Sequence, residues 1–530
     1  MISPEPFHTR AHLVGGGIAS LAAAAILIRD GDMLGKNITI YEELGAVGGA
    51  LDGSGNPDTG YLVRGGRMFE SKYLCTYDLF SSIPTLDRRQ TVTQDIFQWN
   101  EVIKTGSKAR LVRNGERLVA PEFGLSESQI LAIEKLILAP EGVLGDSRIS
   151  HHFDAAFFKT NFWLMWATTF AFQPWHSAVE LKRYLIRFTH MVEGFNRLHG
   201  IMRTAHNQYD SLVRPLRKWL EERNVQFRVG ARVDDIEFAE RGGEKYATAL
   251  DVVQDGVRVS VALNADDLVI ATLGSMTECS SVGTMDSAPT LHDKHVGGSW
   301  KLWDRIARGR PELGRPERFS ERVEESKWLS FTVTQKTSEL LGYIRDFTGN
   351  VPGEGGLVTF CDSNWLMSIV VPHQPHFIGQ PDDVQVFWGY ALSMDPPGNF
   401  VGKPIGQCTG RELMTELLGH LGVTERVEPI LAKTICLPCM MPFITSQFLT
   451  RAKGDRPQVH PRGYVNFAVT GQFCEQPDDV VFTVEYSVRS AMTAAYELLG
   501  LDRRPPPVFK GQHDPRYLVK ALRALHDIPQ

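Results

Sequence analysis

The chain has 530 residues, of which 43% are hydrophobic, 22% charged and 10% aromatic. That composition can build a sizeable core and excludes whole-chain disorder, a collagen-like repeat and a coiled coil. The net charge of −6 offers no basic stripe for nucleic acid.

Length alone predicts about three to five domain-sized units. Seven cysteines, an odd number, fit reduced thiols in a cytoplasm better than a secreted disulfide scaffold. Residues 1–12 lack the basic, apolar and small-residue pattern of a signal peptide. No apolar run approaches the length of about 18 residues that a membrane-spanning helix needs. The nearest, Phe162–Phe172, reads as a buried or pocket-lining helix.

In chain order, the first informative segment is a βαβ unit. An apolar run (Ala11–Val14) meets Gly15-Gly16-Gly17-Ile18-Ala19-Ser20, then a helical stretch (Leu21–Ile28), then a strand (Ile38–Tyr41) ending at Glu42. Gly15 permits the tight turn, Gly17 lets a pyrophosphate approach the backbone, and a small residue at Ser20 lets helix and strand pack closely. The helix N-terminus, through Ala19, offers free N–H groups to phosphate. Glu42 is placed to accept hydrogen bonds from ribose hydroxyls. The glycines Gly48 and Gly49 follow the acid, as they do in FAD proteins of the two-dinucleotide-binding-motif type. Later segments fit the same plan. Val225–Val233, followed by Asp234-Asp235-Ile236, resembles the strand pair that in such proteins brings a valine, here Val233, near the adenine. Asp267–Gly274 reads as a strand and turn with Thr272 at its end. Val465–Gly471 leads through Gln472 and Phe473 into a helix over Val484–Leu499 that closes the site. Gly353–Gly356 leads into a strand, so no separate NAD(P)H unit is expected.

The predicted fold is therefore α/β: a discontinuous Rossmann-like FAD domain (1–75, 225–285 and 460–500), an α+β substrate domain (76–224 and 286–459) and a helical tail (501–530). Within the substrate part, 151–224 is aromatic and helical, 290–325 is an arginine-rich solvated face, and Leu357–Phe360, Leu366–Val371 and Val384–Trp388 are β-like. Pro505–Pro507 is a stiff spacer. Arg516–His526 is a basic amphipathic helix, able to lie on an anionic bilayer or to fold on the core. The lone Cys436-Leu437-Pro438-Cys439 pair and His151-His152-Phe153-Asp154 lack the partners that a zinc site needs, and no metal is expected.

Several blocks resemble the oleate hydratase family, also called myosin-cross-reactive antigens: GGGIASLAAA, LDGSGNPDTGYLVRGGRMFE, FAFQPWHSAVELKRYL, NQYDSLVRPL, ATLGSMTE, MPFITSQFLTRAKGDRP and NFAVTGQFCEQPDDVVFTVEYSVRSA. They occur in one order over most of the chain. The resemblance implies non-covalent FAD, most effective when reduced. It also implies addition of water to the cis-9 double bond of oleic acid or a similar unsaturated fatty acid, giving a 10-hydroxy acid without net redox change. It places Tyr209 as the acid that protonates the alkene. With Ser211 as N-cap of a helix through Glu222, the positive end of the dipole would lower that phenol's pKa. Met68 stands where most relatives carry the glutamate that activates water. Glu70, two residues on, is a substitute base or else an ion-pair partner of an arginine. Arg64, Gly65 and Gly66 are expected beside the flavin. The resemblance further implies a cytoplasmic, peripheral protein touching the inner membrane face through its C-terminal helix, as homodimer or monomer. Two other functions stay open: a flavin-dependent double-bond isomerase or oxidoreductase, and a non-catalytic lipid-binding flavoprotein.

Overall fold

The computed structural model describes residues 9–528. The signal-peptide reading falls mostly on residues 1–8, outside that range.

Five parallel strands carry the glycine-rich turn. Their order across the sheet is Phe467–Thr470, Leu268–Thr272, Ala11–Val14, Ile38–Glu42 and Gln226–Val229. The strands read as short apolar runs because helices cover both faces of such a sheet; Ala11–Val14 and Phe467–Thr470 are buried throughout. The Ile18–Arg29 helix is buried from Ile18 to Leu27. Its alanines at 22–25 keep it slim enough to pack against the helix Val484–Leu498. The first and last thirds of the chain thus share one layer, and the α/β Rossmann-type expectation holds. Where a strand pair was expected after Val225, the chain makes the edge strand and then an antiparallel meander of Ala231–Arg241, Glu244–Gln254 and Val257–Ala262.

A second, eight-stranded sheet lies opposite. Its order is Ser281–Val282, Thr434–Met441, Trp328–Gln335, Gln385–Ala391, Met367–Val370, Leu357–Phe360, Leu111–Arg113 and Glu116–Leu118. Side chains alternate faces along each strand. Leu329, Phe331, Phe387, Ile369 and Val358 enter a core shared with the helices Glu339–Thr348 and Gly410–His420. Trp328, Trp388, Tyr390 and Val370 face the other way, toward the first sheet. The hairpin Gly53–Asn56/Gly60–Val63 rests on this sheet. Tyr61 N donates to Thr334 Oγ1 at 2.8 Å and Val63 N to Thr332 Oγ1 at 3.1 Å. That contact delivers the Arg64–Glu70 loop to the space between the sheets.

The helix expected over Phe162–Phe172 spans Asn161–Phe170. The C-terminal helix spans Pro515–Leu525 and packs on the turn Thr189–Arg197. Among the described residues no helix is long and apolar enough to cross a membrane.

Candidate functional site

Between the sheets lies a cavity of about 500 Å³. One end is the glycine turn. Gly15, Gly17, Ala19, Glu42, Gly49, Val233, Thr272, Gln472 and Phe473 all line it, although they come from five separate stretches of chain. The Ile18–Arg29 helix begins here with no side-chain cap and no acid in its first turn, so its N–H groups face the cavity unspent. Gly49, at φ +56°, crosses Gly17 so closely that a β-carbon on it would sit 2.9 Å from the Gly17 α-carbon. This cradle fits a dinucleotide pyrophosphate. Glu42 is less free than expected: its carboxylate accepts from Gly16 N at 2.6 Å and Leu44 N at 2.8 Å. Burial pushes its pKa up, and those two amides offset part of the shift.

Two expected cofactor residues stand behind the wall. Ser20 is fully buried, its hydroxyl 3.2 Å from Thr272 Oγ1. It serves the close helix–strand packing rather than the ligand. Gly48 is covered by Tyr209.

The Arg64–Glu70 loop forms the middle of the wall. Arg64 pairs with Asp52 at 2.7 Å and donates to Thr277 O at 3.0 Å. Arg67 has no carboxylate partner among the described residues. Its Nη2 donates to Ala50 O at 2.8 Å, its Nε bonds to nothing, and burial lowers its pKa to about 10. Gly65 makes room for that guanidinium and Gly66 for the Trp388 ring, since a β-carbon would lie 2.8 Å and 2.9 Å from them. Met68 and Glu70 both line the cavity. Glu70 meets Arg187 Nη1 at 3.0 Å and His190 Nε2 at 3.3 Å, so it is an arginine's ion-pair partner.

Tyr209 does not line the cavity. Asn207, not Ser211, caps this segment by accepting from Asp210 N at 3.0 Å. The backbone turns as a π-helix over Tyr209–Val213 before the α-helix Arg214–Glu221. Ser211 instead donates to His206 O. The extra residue in the turn swings the Tyr209 ring onto Gly48, where a β-carbon would come within 3.2 Å of it. The cavity's tyrosines include two the sequence reading passed over, Tyr73 and Tyr184. Tyr184 lies on the helix Ala178–Arg187 with Leu181 and Leu185 on one buried face, a spacing visible in the sequence. Phe170, Phe172, Phe188 and Phe448 surround its ring.

A smaller cavity of about 50 Å³ shares Arg67, Gln208, Val370 and Trp388 with the first. Arg203 lines it with no carboxylate partner among the described residues, and its Nε and Nη2 are buried and unbonded. Burial lowers its pKa to about 10. His376 beside it is held neutral, pushed down to about 3 by burial, His206 and Arg203. Cys436 and Cys439 are buried free thiols, and no group of three His, Cys, Asp or Glu among the described residues is placed to hold a metal.

A parallel sheet with a glycine turn, a second sheet facing it and a cavity between them define an α/β protein of Rossmann-type fold. Solved structures agree on the fold. Cyclohexylamine oxidase from Brevibacterium oxydans IH-35A is similar at a TM-score of 0.54 and 11% identity, covering 93% of this chain and 99% of that one. A putrescine oxidase bound to putrescine is similar at 0.53 and 12%, with coverages of 93% and 99%. The MCRA family profile matches residues 8–496, and the chain belongs to that family. The oleate hydratase of Streptococcus pyogenes serotype M49 (strain NZ131) is 39% identical over 98% of this chain and 90% of its own length. The linoleate hydratase of Lactiplantibacillus plantarum is 33% identical over 98% and 99%.

Proposed function

We propose that the chain is an FAD-dependent hydratase that adds water to the cis-9 double bond of oleic acid and similar unsaturated fatty acids, giving 10-hydroxy acids. The observation that carries this reading is one cavity with two kinds of wall. The dinucleotide cradle occupies one end, and an apolar, aromatic chamber around Met68, Phe170, Phe188 and Met191 occupies the other. Two relatives of near-full-length match are named for fatty-acid hydration. In our reading the FAD domain is residues 1–75, 225–285 and 460–500, the substrate domain 76–224 and 286–459, and the tail 501–530.

FAD, when bound, would supply electrostatic stabilisation to the reaction without net redox change. The protein's residues do the rest. Arg203 and Arg67, buried cations without acids, receive the fatty-acid carboxylate, because an unpaired buried charge is costly and an anion relieves it. Aromatic rings grip the hydrocarbon and exclude water. Tyr184, in place of Tyr209, gives its proton to the alkene carbon. Burial raises its pKa well above the usual phenol value, which keeps it protonated, and Arg187 pulls the other way. The exposed Leu518, Val519 and Leu522 of the C-terminal helix, beside Lys520 and Arg523, support contact with an anionic membrane surface.

The test is oleate with purified flavin-loaded protein in heavy water. A hydroxyl at carbon 10 with deuterium on its neighbour is expected. A shifted or added double bond would instead mean isomerisation or redox chemistry, and unchanged lipid would leave only binding.

A further inference from the structure

The smaller cavity, about 50 Å³, is lined by Arg203, Thr204, His206 and His373 among others. A water molecule's share of liquid volume is about 30 Å³, so this cavity has room for roughly a carboxylate group and no length of chain. A fatty acid seated there on Arg203 must leave at once for the larger cavity of about 500 Å³. Its path runs over the residues that line both cavities.

Two of those residues, Trp388 and Val370, reach the junction from the eight-stranded sheet. They are register partners on the neighbouring strands Gln385–Ala391 and Met367–Val370, and side chains paired in this way pack on one another. The Gly66 backbone closes on both from the other side. A β-carbon there would lie 2.9 Å from Trp388 Cε3 and 3.3 Å from Val370 Cγ2. Tyr390 stacks on the indole, with ring centroids 4.8 Å apart and planes 25° apart, and the Trp328 ring stands 6.4 Å away. Packed among Gly66, Val370, Tyr390 and Trp328, the buried indole is a fixed partition between the two cavities.

We infer that Trp388 is the residue that decides where along the acyl chain water adds. The inference rests on the hydratase reading above and deepens it. A hydrophobic pocket tells one methylene more or less by about 10–200-fold, but only when the chain cannot slide to hide the difference. Here the headgroup is the stop, because its cavity has no slack. With headgroup and partition both fixed, the number of carbons between the carboxyl and the chamber is set by the protein. The acids selected are unbranched and saturated from the carboxyl to the double bond. A cis bond within that stretch would bend the chain against the indole, and one farther out would overshoot the chamber. Position is thus read as a distance from the carboxylate, with no residue needed to recognise the double bond itself.

The experiment gives flavin-loaded wild type, Trp388→Leu, Trp388→Phe and Val370→Ala an equimolar mixture of three 18-carbon acids with one cis double bond each, at carbon 6, 9 or 11. Mass spectrometry reads each hydroxy acid. Competition in one tube reports ratios of kcat/KM, so differences in the amount of folded protein cancel. Wild type should favour the cis-9 acid over each isomer by at least about tenfold. In Trp388→Leu that preference should fall by about tenfold or more, while flavin content and melting temperature hold. Trp388→Phe keeps a ring at the partition and should retain more of the preference than the leucine variant. A residue that only supports the fold would lower all three products alike. No preference in the wild type, or a Trp388→Leu preference within about threefold of wild type, overturns the inference and leaves the hydratase reading standing. Hydroxy acid from none of the three acids with wild type overturns both. Should Trp388→Leu fail to fold, Val370→Ala opens the same partition from the next strand, and an unchanged preference there overturns the inference.

Discussion

The Glu70 carboxylate and the Arg187 guanidinium meet 3.0 Å apart with side-chain exposures of 2% and 1%. Asp479 lies on the other side of Arg187 at 3.6 Å. The arginine thus ties the cavity loop to the segment that precedes the helix Val484–Leu498. Removing one member of a buried pair leaves an uncompensated charge and costs about 3–5 kcal/mol. Glu70→Gln should fall at the lower end, since Asp479 remains, and denaturant titration of the flavin-loaded protein measures it. A variant of unchanged stability that loses all turnover would make Glu70 the base after all.

The same pair sets an acid limit. The Glu70 carboxyl is held below its unfolded value, so its stabilisation is present above the ordinary glutamate pKa of about 4.3 and fades as pH falls through the folded value. Melting temperature should drop on acidification below about pH 4.3, and the drop should be shallower in Glu70→Gln. Equal acid slopes in the two proteins would remove Glu70 from the account.

Gly17 separates binding from folding. A β-carbon there would come no closer than 3.9 Å to Gly49, so the protein itself has room. Gly17→Val should fold yet purify without flavin colour, because the methyls occupy the pyrophosphate's place. A yellow, fully loaded Gly17→Val protein would move the cofactor elsewhere.

Tyr184→Phe and Tyr209→Phe should part company. Loss of a general acid costs about 10²–10⁴-fold, which is expected for Tyr184. Tyr209 stands behind Gly48, and its variant should stay within about threefold of wild type by that reasoning. The reverse ranking of rates would restore Tyr209 to the mechanism.

Arg203→Met tests the carboxylate end. The lost charged hydrogen bonds, about 1.5–3 kcal/mol, should raise KM for the free acid about 10- to 150-fold and leave the methyl ester nearly unaffected. Stability without substrate should hold or rise, because an unpaired buried cation is gone. If acid and ester suffer alike, Arg203 shapes the cavity instead of reading charge.

The glycine turn was legible because its logic is local: strand, turn and helix follow one another within thirty residues. The strands Leu268–Thr272 and Phe467–Thr470 were legible for their apolar runs and following glycines. The cap was misread, since a helix capped by Ser211 was assumed, whereas Asn207 caps and a π-turn shifts the register and sets the Tyr209 ring on Gly48. Tyr73, Tyr184 and Arg203 were missed for another reason. They line two adjoining cavities, the tyrosines the larger and Arg203 the smaller, from elements far apart in sequence, and nothing in the residues around each marks which neighbour it will face.

The parallel sheet places Ala11–Val14 beside Leu268–Thr272, and Leu268–Thr272 beside Phe467–Thr470. The strand at that edge and the helix that shelters the alanine-rich Ile18–Arg29 are therefore made long after the strand and helix they cover. Until they are made, the N-terminal βαβ unit has no partner for its apolar helix and no closed nucleotide cradle. Such long-range closure is slow and leaves sticky surface exposed meanwhile. A nucleotide can be captured only after Val484–Leu498 has been made, and yield in a host cell should depend on chaperones that hold the early unit until then.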